Sequence, residues 1–145
     1  MHYLEITLLG SDQKTHALKD FSGKKLLLYF YPKDNTSGCT IQAKDFTAYR
    51  SDFEAKGYKV IGVSRDSIRS HENFIQKQDL DLLLLSDPDE VLIKAFDVLK
   101  EKQMYGKKYL GIERSTFLID EQGKIVKAYR GVSAKGHAEQ LLSEL

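Results

Sequence analysis

The hydrophobic positions of the chain alternate between short apolar runs and stretches with helical spacing. The run Leu26–Tyr31 predicts a buried strand, which Pro32 ends. A polar loop follows, and apolar residues then recur at helical spacing from Cys39 to about Lys56. Gly57 is typical of a helix end. The pattern therefore predicts a strand, a loop and a helix, with Cys39 near the start of that helix.

The same alternation continues to the end of the chain. Further strands are predicted at 58–64, 82–85, 115–119 and 125–129, and helices at about 68–78, 86–96 and 134–142. The last two strands should pair as a hairpin, and segments 6–8 and 16–18 predict a small N-terminal hairpin. Strands that alternate with helices predict an α/β fold in which parallel strands form the centre of the sheet. The length corresponds to about one domain of ~150 residues, so we expect residues 1–145 to form a single domain.

Composition and charge narrow the classes of function. The chain has 22 Lys+Arg and 21 Asp+Glu, a formal net charge of +1, which does not favour a nucleic acid or a membrane as partner. Its longest apolar runs, 26–30 and 82–85, are far shorter than the ~18 residues of a membrane-spanning helix. The first residues do not resemble a secretory signal, so we expect a cytoplasmic protein.

The chemistry that the chain offers centres on a lone thiol. Cys39 is the only cysteine, so it forms no internal disulfide and no multi-thiolate zinc site. Thiols at helix N-termini or beside cations often have pKa values below the ~8.5 of a free thiol, and the thiolate is the nucleophile. Cys39 is therefore a candidate nucleophile. The alternative is a small apolar residue packed under the sheet.

Spacing excludes several kinds of thiol enzyme. Gln42 stands where a Cys-x-x-Cys oxidoreductase has its second cysteine. Lys44 and Asp45 stand where a phosphatase loop would need an arginine to hold phosphate. A cysteine hydrolase needs a histidine base, but no histidine has a favoured position, and we expect each of them to be a surface residue. These four are His2, His16, His71 and His137.

Three residues close to Cys39 each allow a functional and a purely local interpretation. The Thr36 hydroxyl, three residues earlier, could face whatever the sulfur attacks, or it could serve as an ordinary capping or loop residue. Gly38 would allow a small substrate to approach the backbone closely, or it could serve only the turn. Pro32 could shape a pocket or simply end the strand.

Together these residues form a recognisable pattern. Proline, three residues, threonine, two residues and cysteine are present as Pro32, Thr36 and Cys39, and the chain here resembles the peroxiredoxins. It is most similar to the branch called bacterioferritin comigratory proteins, or Q type. The resemblance runs from about Leu26 to Gly131 and includes three further segments, at 84–88, 104–109 and 111–120.

The resemblance implies a thioredoxin-like fold, with a central mixed sheet flanked by helices. It also implies the reduction of hydrogen peroxide and alkyl hydroperoxides to water and alcohols, without metal or haem. It maps the peroxidatic cysteine, which becomes a sulfenic acid, onto Cys39, and it maps an arginine of the site onto Arg114. Thr36, Arg114 and loop N–H groups would hold both peroxide oxygens. Pro32 and Gly38 would line the substrate pocket, with Pro32 shielding the sulfenic acid.

The chain departs from this branch at two positions. Lys44 stands where many members have a resolving cysteine, so we expect a one-cysteine mechanism in which an external thiol recycles Cys39. Thioredoxin, glutaredoxin with glutathione, and small thiols are the candidate reductants; a Cys39 to Cys39 bridge is a weaker candidate. Ser37 replaces a proline that is common in the loop.

Oligomeric state and two alternative functions stay open at this stage. The resemblance implies a monomer or a weak dimer. The first alternative to a peroxidase is a peroxide sensor or chaperone that uses oxidation of Cys39 to switch partners. The second is a thioredoxin-like binding module in which Cys39 is inert.

Overall fold

A seven-stranded mixed sheet runs through the structure, a computed structural model in which residues 2–145 are described. Its strands are β1 Thr7–Gly10, β2 Thr15–Ala17, β3 Lys25–Phe30, β4 Tyr58–Ser64, β5 Leu83–Ser86, β8 Ser115–Ile119 and β9 Ile125–Tyr129, and a separate pair consists of β6 Leu99–Met104 and β7 Lys107–Ile112. The spatial order is β2-β1-β5-β4-β3-β8-β9. β3, β4 and β5 are parallel, and the outer strands pair antiparallel. The predicted mixed sheet and small N-terminal hairpin are confirmed.

Helices flank this sheet. They are α1 Ser37–Ala48, α2 Arg50–Ala55, α3 Ile68–Gln78, α4 Val91–Ala95 and α5 His137–Glu144, with 3-10 turns at Tyr3–Glu5 and Leu18–Phe21. Within residues 2–145, no helix combines the length and apolar character that crossing a membrane would require.

The central strand β3 is buried on both faces, which explains its unbroken apolar sequence. Leu28 and Phe30 pack into the core that includes α4, whereas Tyr29 and Tyr31 pack into the core that includes α1, α3 and α5. Because successive side chains of a strand point to opposite faces, one strand supplies both cores. Its C-terminal end is therefore a fixed base for the loop that follows.

Two predicted helices differ in extent from the observed ones, and the helix expected at about 134–142 is observed at His137–Glu144. The helix expected from Cys39 to about Lys56 is divided at Tyr49, although Phe46 and Phe53 stay on one side with ring centroids 5.9 Å apart. Because the apolar residues keep helical spacing across Tyr49, the sequence pattern did not indicate that the helix is divided there. The helix expected at 86–96 begins only at Val91, because Glu90 has a left-handed backbone with φ +61°.

The hairpin of β6 and β7 was not predicted from the hydrophobic pattern. Most of its side chains are exposed, so neither strand shows the apolar alternation of a half-buried strand. Its turn consists of Tyr105 and Gly106, whose φ values of +51° and +78° fit a two-residue hairpin turn.

The prediction that every histidine is a surface residue was wrong for two of the four. His71 is fully buried on α3, and His137 is buried at the start of α5. The ring of His137 packs edge-on against Phe46, and its Nε2 lies 2.8 Å from Thr116 Oγ1 on β8. Burial, and then the positive charge of Arg114, lower the pKa of His137 to about 4.

This buried imidazole generates a prediction about stability in acid. The folded pKa of His137, about 4, lies below its ordinary 6.5, so the unfolded chain binds a proton that the folded chain excludes. Protonation of His137 therefore does not lower the free energy of unfolding above pH 6.5. The free energy of unfolding falls as the pH drops from 6.5 towards 4. The shift alone would give about 2 to 3 kcal/mol, and partial screening by solvent lowers the expected loss to the order of 1 to 2 kcal/mol across this window. We expect a smaller loss in His137→Gln. Urea unfolding at a series of pH values measures the free energy of unfolding of both proteins. If this free energy depends on pH in the same way in both, His137 does not cause the loss of stability in acid.

Candidate active site

The junction of β3 and α1 presents the sulfur of Cys39 beside free backbone N–H groups. Cys39 is the third residue of α1 and is only 2% exposed. The first hydrogen bond of the helix runs from Thr40 N–H to Thr36 O, at 2.9 Å. The N–H groups of the first turn before Thr40 therefore have no helical acceptor, and they give this end of the helix a partial positive charge.

The register of the sheet brings Arg114 to the same place. Ser115, the first residue of β8, pairs with Phe30, the last residue of β3. Arg114 therefore lies at the end of the sheet from which the chain leads into α1. Its Nη2 donates to Cys39 Sγ at 3.4 Å, and its Nη1 donates to Gln42 Oε1 at 2.7 Å. Gln42 is three residues after Cys39, so both side chains lie on one face of α1.

Gly38 leaves room for the guanidinium group. A Cβ atom at this position would lie 3.2 Å from Arg114 Nη2 and 3.5 Å from Ala134 Cβ. The first distance is tighter than most contacts of a real Cβ atom, so a side chain here would crowd Arg114. The group that approaches Gly38 closely is thus the side chain of Arg114 and not a substrate.

Thr36 and Pro32 lie on the loop between β3 and α1. Thr36 is exposed at the N-cap position of α1, and its Oγ1 donates to Lys33 O at 2.7 Å without capping a helix N–H. Pro32 is half-buried and follows Tyr31, whose N–H donates to Val63 O. Because proline has no N–H, the pairing with β4 cannot continue through Pro32.

The surroundings of the sulfur are rich in positive charge and hydrogen-bond donors. Lys102, on β6, donates to Ile112 O, and partial burial followed by the charges of Arg114 and Arg65 lowers the pKa of Lys102. Burial, and then negative charge at Cys39, raise the pKa of Tyr29 far above its ordinary value, so this hydroxyl stays neutral. A thiolate at Cys39 would therefore have positively charged side chains around it, and the neutral Tyr29 hydroxyl would add no second negative charge.

Sequence reasoning missed Gln42, Tyr29 and Lys102 as members of this site. It had treated Gln42 only as a position without a second cysteine, although the spacing of three residues from Cys39 was a usable signal. Within residues 2–145, the buried side-chain atoms without a hydrogen-bond partner are Tyr29 Oη and Gln42 Nε2, and both residues belong to the buried region around Cys39. No sequence pattern indicated Lys102, because its hairpin was not predicted.

This arrangement suits attack by a sulfur anion on a small polar molecule. The guanidinium and the helix N-terminus favour negative charge on the sulfur and on an atom that leaves it. Burial keeps bulk water away and strengthens these interactions. A small oxidant fits this chemistry better than a large substrate, because Cys39 is almost fully enclosed.

Comparison with known proteins agrees with this geometry. Residues 2–128 match the AhpC/TSA family. Peroxiredoxin Bcp of Xanthomonas campestris is 51% identical over 142 residues, which cover 98% of this chain and 88% of the relative. Peroxiredoxin Bcp of Bacillus subtilis is 45% identical over 141 residues, which cover 97% of this chain and 90% of the relative.

Solved structures show the same likeness in three dimensions. The bacterioferritin comigratory protein of Xanthomonas campestris, studied for its alkyl peroxide reduction activity, superposes with a TM-score of 0.93 at 47% identity over 98% of this chain and 90% of that chain. This confirms the predicted thioredoxin-like fold. With this family match, these identities and one cysteine, the chain belongs to the AhpC/TSA family, as a peroxiredoxin of the Bcp (PrxQ) branch, and is a thiol-dependent peroxidase.

Proposed function

We propose that Cys39 is the peroxidatic cysteine and that it reduces hydrogen peroxide and alkyl hydroperoxides by a one-cysteine mechanism. The observation that carries this proposal is the guanidinium of Arg114, 3.4 Å from Cys39 Sγ at the start of α1. Alkyl peroxide reduction by the Xanthomonas campestris relative supports alkyl hydroperoxides as substrates.

The first chemical step forms an S–O bond and breaks the O–O bond. The thiolate of Cys39 attacks one peroxide oxygen in line, the sulfur becomes a sulfenic acid, and the electron pair of the O–O bond leaves on the other oxygen. That oxygen takes one proton and departs as water or an alcohol. Arg114 and the N–H groups at the start of α1 stabilise the charge that develops on it. Most of the acceleration comes from positioning and charge stabilisation, since nucleophilicity falls as thiol pKa falls.

Two loop residues, Pro32 and Thr36, and Gly38 at the start of α1 complete the pocket in this proposal. The Thr36 hydroxyl donates its hydrogen to Lys33 O, so the lone pairs of Thr36 Oγ1 are free to accept a hydrogen bond from the peroxide O–H. Gly38 leaves space for the guanidinium. Pro32 forms part of the wall and shields the sulfenic acid from further oxidation.

The second half of the cycle consumes two external thiols. The first condenses with the sulfenic acid, releasing water and leaving a mixed disulfide on Cys39; the second attacks that disulfide and restores the Cys39 thiol. Cys39 is the only cysteine in the sequence, and Lys44 stands on α1 where the sequence resemblance implies a resolving cysteine, so the reductant is external. We propose thioredoxin, or glutaredoxin with glutathione, as this reductant, for a monomer or weak dimer. The cytoplasmic location stays a prediction.

Peroxide consumption with each reductant in turn tests the activity. We expect many turnovers per Cys39 with at least one of these thiol systems, and none in Cys39→Ser. A single stoichiometric oxidation with every reductant would instead fit a sensor. Peroxide consumption by Cys39→Ser equal to the original rate would show that the nucleophile is misassigned.

Arg114→Leu tests the electrostatic role. We expect the second-order rate constant of Cys39 oxidation, compared at pH values where the thiol of each protein is fully ionised, to fall about a hundredfold. Arg50→Leu removes an arginine that forms ion pairs with Glu54 and Asp81 away from the site, and is the matched control. Since the chain has no tryptophan, acid quench and mass spectrometry follow the oxidation. Equal rate constants for Arg114→Leu and Arg50→Leu would exclude Arg114 from the reaction.

Gln42→Leu tests whether the amide holds the guanidinium in place. Loss of the 2.7 Å bond to Arg114 Nη1 should let the guanidinium shift, and we expect the same rate constant to fall about tenfold. Lys44→Ala, an exposed substitution on the same helix, should leave the rate constant unchanged. A Gln42→Leu protein that reacts as fast as Lys44→Ala would contradict this role.

A further inference from the structure

A buried polar network lies behind the loop that carries Thr36. Asp34, in the middle of this loop, is 5% exposed, and His71 on α3 is fully buried. His71 Nδ1 lies 2.7 Å from Asp34 Oδ2, and His71 Nε2 donates to Leu85 O at 2.9 Å. The hydrogen bond between His71 and Asp34 joins the two whichever of them holds the shared proton. It ties the loop to α3, and through Leu85 to β5.

Hydroxyl and backbone groups complete the network. Tyr31 Oη donates to Asp34 Oδ1 at 2.6 Å, and Ser70 Oγ donates to Asp34 Oδ2 at 2.8 Å. The N–H of Asp34 donates to Asp66 Oδ2 at 2.9 Å. Oxygen and nitrogen atoms of Asp34, Asp66 and His71 lie within 4.8 Å of one another, the spacing of metal ligands. All three side chains already have protein partners, so the contacts are those of a hydrogen-bonded anchor.

This anchor is the point at which the loop is attached. In the described part of the chain, the hydrogen bonds that join residues 32–36 to anything outside residues 31–40 all involve Asp34. The next residue, Asn35, has a φ of +59°, a left-handed conformation that asparagine adopts more readily than most residues. Thr36 and the start of α1 follow directly. The position of the pocket wall therefore depends on Asp34.

We propose that the Asp34–His71 pair is a positioning device that sets the balance between the two halves of the catalytic cycle. This inference rests on the proposed function of Cys39. Neither residue contacts the sulfur. Their effect passes through the loop: with the pair intact, the loop is closed, and Thr36 and Cys39 are held for reaction with peroxide.

The two half-reactions need different amounts of space. Hydrogen peroxide is little larger than water, so it reacts in the closed pocket, where Cys39 is 2% exposed. An alkyl hydroperoxide also reacts through its small terminal O–OH group, whereas the attacking sulfur of a thiol reductant bears its carbon group directly. The thiol must also approach Cys39 in line with the S–O bond, so it needs the loop to open. A weaker anchor should therefore slow the peroxide step and speed the thiol step. Unfolding of the whole chain would also slow the peroxide step and expose the sulfur to thiols, so the two rate constants are compared only in variants whose circular dichroism shows the folded state.

The test measures both steps in His71→Asn, Asp34→Asn and the double variant. Oxidation of Cys39 by hydrogen peroxide should slow by about tenfold to a hundredfold in each single variant. The double variant should be no slower than the slower single variant, because the two residues act as one unit. Sulfenic acid made with one equivalent of peroxide is then mixed with glutathione, and formation of the mixed disulfide should be several-fold faster than in the unchanged protein.

Two further variants keep the test decisive even if His71→Asn folds poorly. Tyr31→Phe removes one hydrogen bond to Asp34 and keeps the aromatic ring, so it should fold. We expect it to slow the peroxide step and speed the thiol step, each by a smaller factor than the other variants. His16→Asn is the matched control, because His16 forms a surface pair with Asp12 far along the sheet. It should leave both rate constants unchanged.

The outcomes separate this inference from the proposed function. If the unchanged protein oxidises at Cys39, and Tyr31→Phe and the folded His71 and Asp34 variants match His16→Asn in both steps, the inference alone is overturned. It is also overturned if both rate constants fall together. If Cys39 of the unchanged protein does not react with peroxide, the proposed function fails, and this inference with it.

Discussion

The chemistry proposed for this peroxiredoxin depends on one guanidinium group, which contacts two side chains of α1. Arg114 donates one nitrogen to Cys39 Sγ and another to Gln42 Oε1. A lysine could not make both contacts in a fixed plane, because its ammonium lacks the planar fork of the guanidinium. The amide of Gln42 fixes the arginine without adding a negative charge that would compete with the sulfur.

The fold supplies this interaction from two distant parts of the chain. The pairing of Ser115 with Phe30 sets where Arg114 meets the loop, and the burial of β3 on both faces fixes the base of that loop. Gly38 then keeps the space between helix and arginine free of a side chain. Asp34 and His71 attach the same loop from behind. Together these contacts hold the end of β3, the loop and the start of α1 in place around one small pocket.

Much of this framework could be predicted from the sequence, and the missing parts have physical reasons. The β3 run and the placement of Cys39 at a helix start follow from local hydrophobic spacing. The β6–β7 hairpin is mostly exposed, so its strands lack an apolar pattern. The burial of His71 and its contact with Asp34 join residues 37 positions apart, which no local pattern records. The role of Arg114 came from resemblance, since an isolated arginine in a sequence is usually a surface charge.

The most direct test of the account compares the folded protein with its own unfolded chain. The second-order rate constant for oxidation of Cys39 by hydrogen peroxide would be measured in buffer and in denaturing urea at the same pH, and corrected for the thiolate fraction in each state. If positioning by Arg114 and the start of α1 provides the acceleration, the folded protein should react roughly a thousandfold faster or more. Equal corrected rate constants would show that Cys39 is an ordinary thiol and would contradict the account.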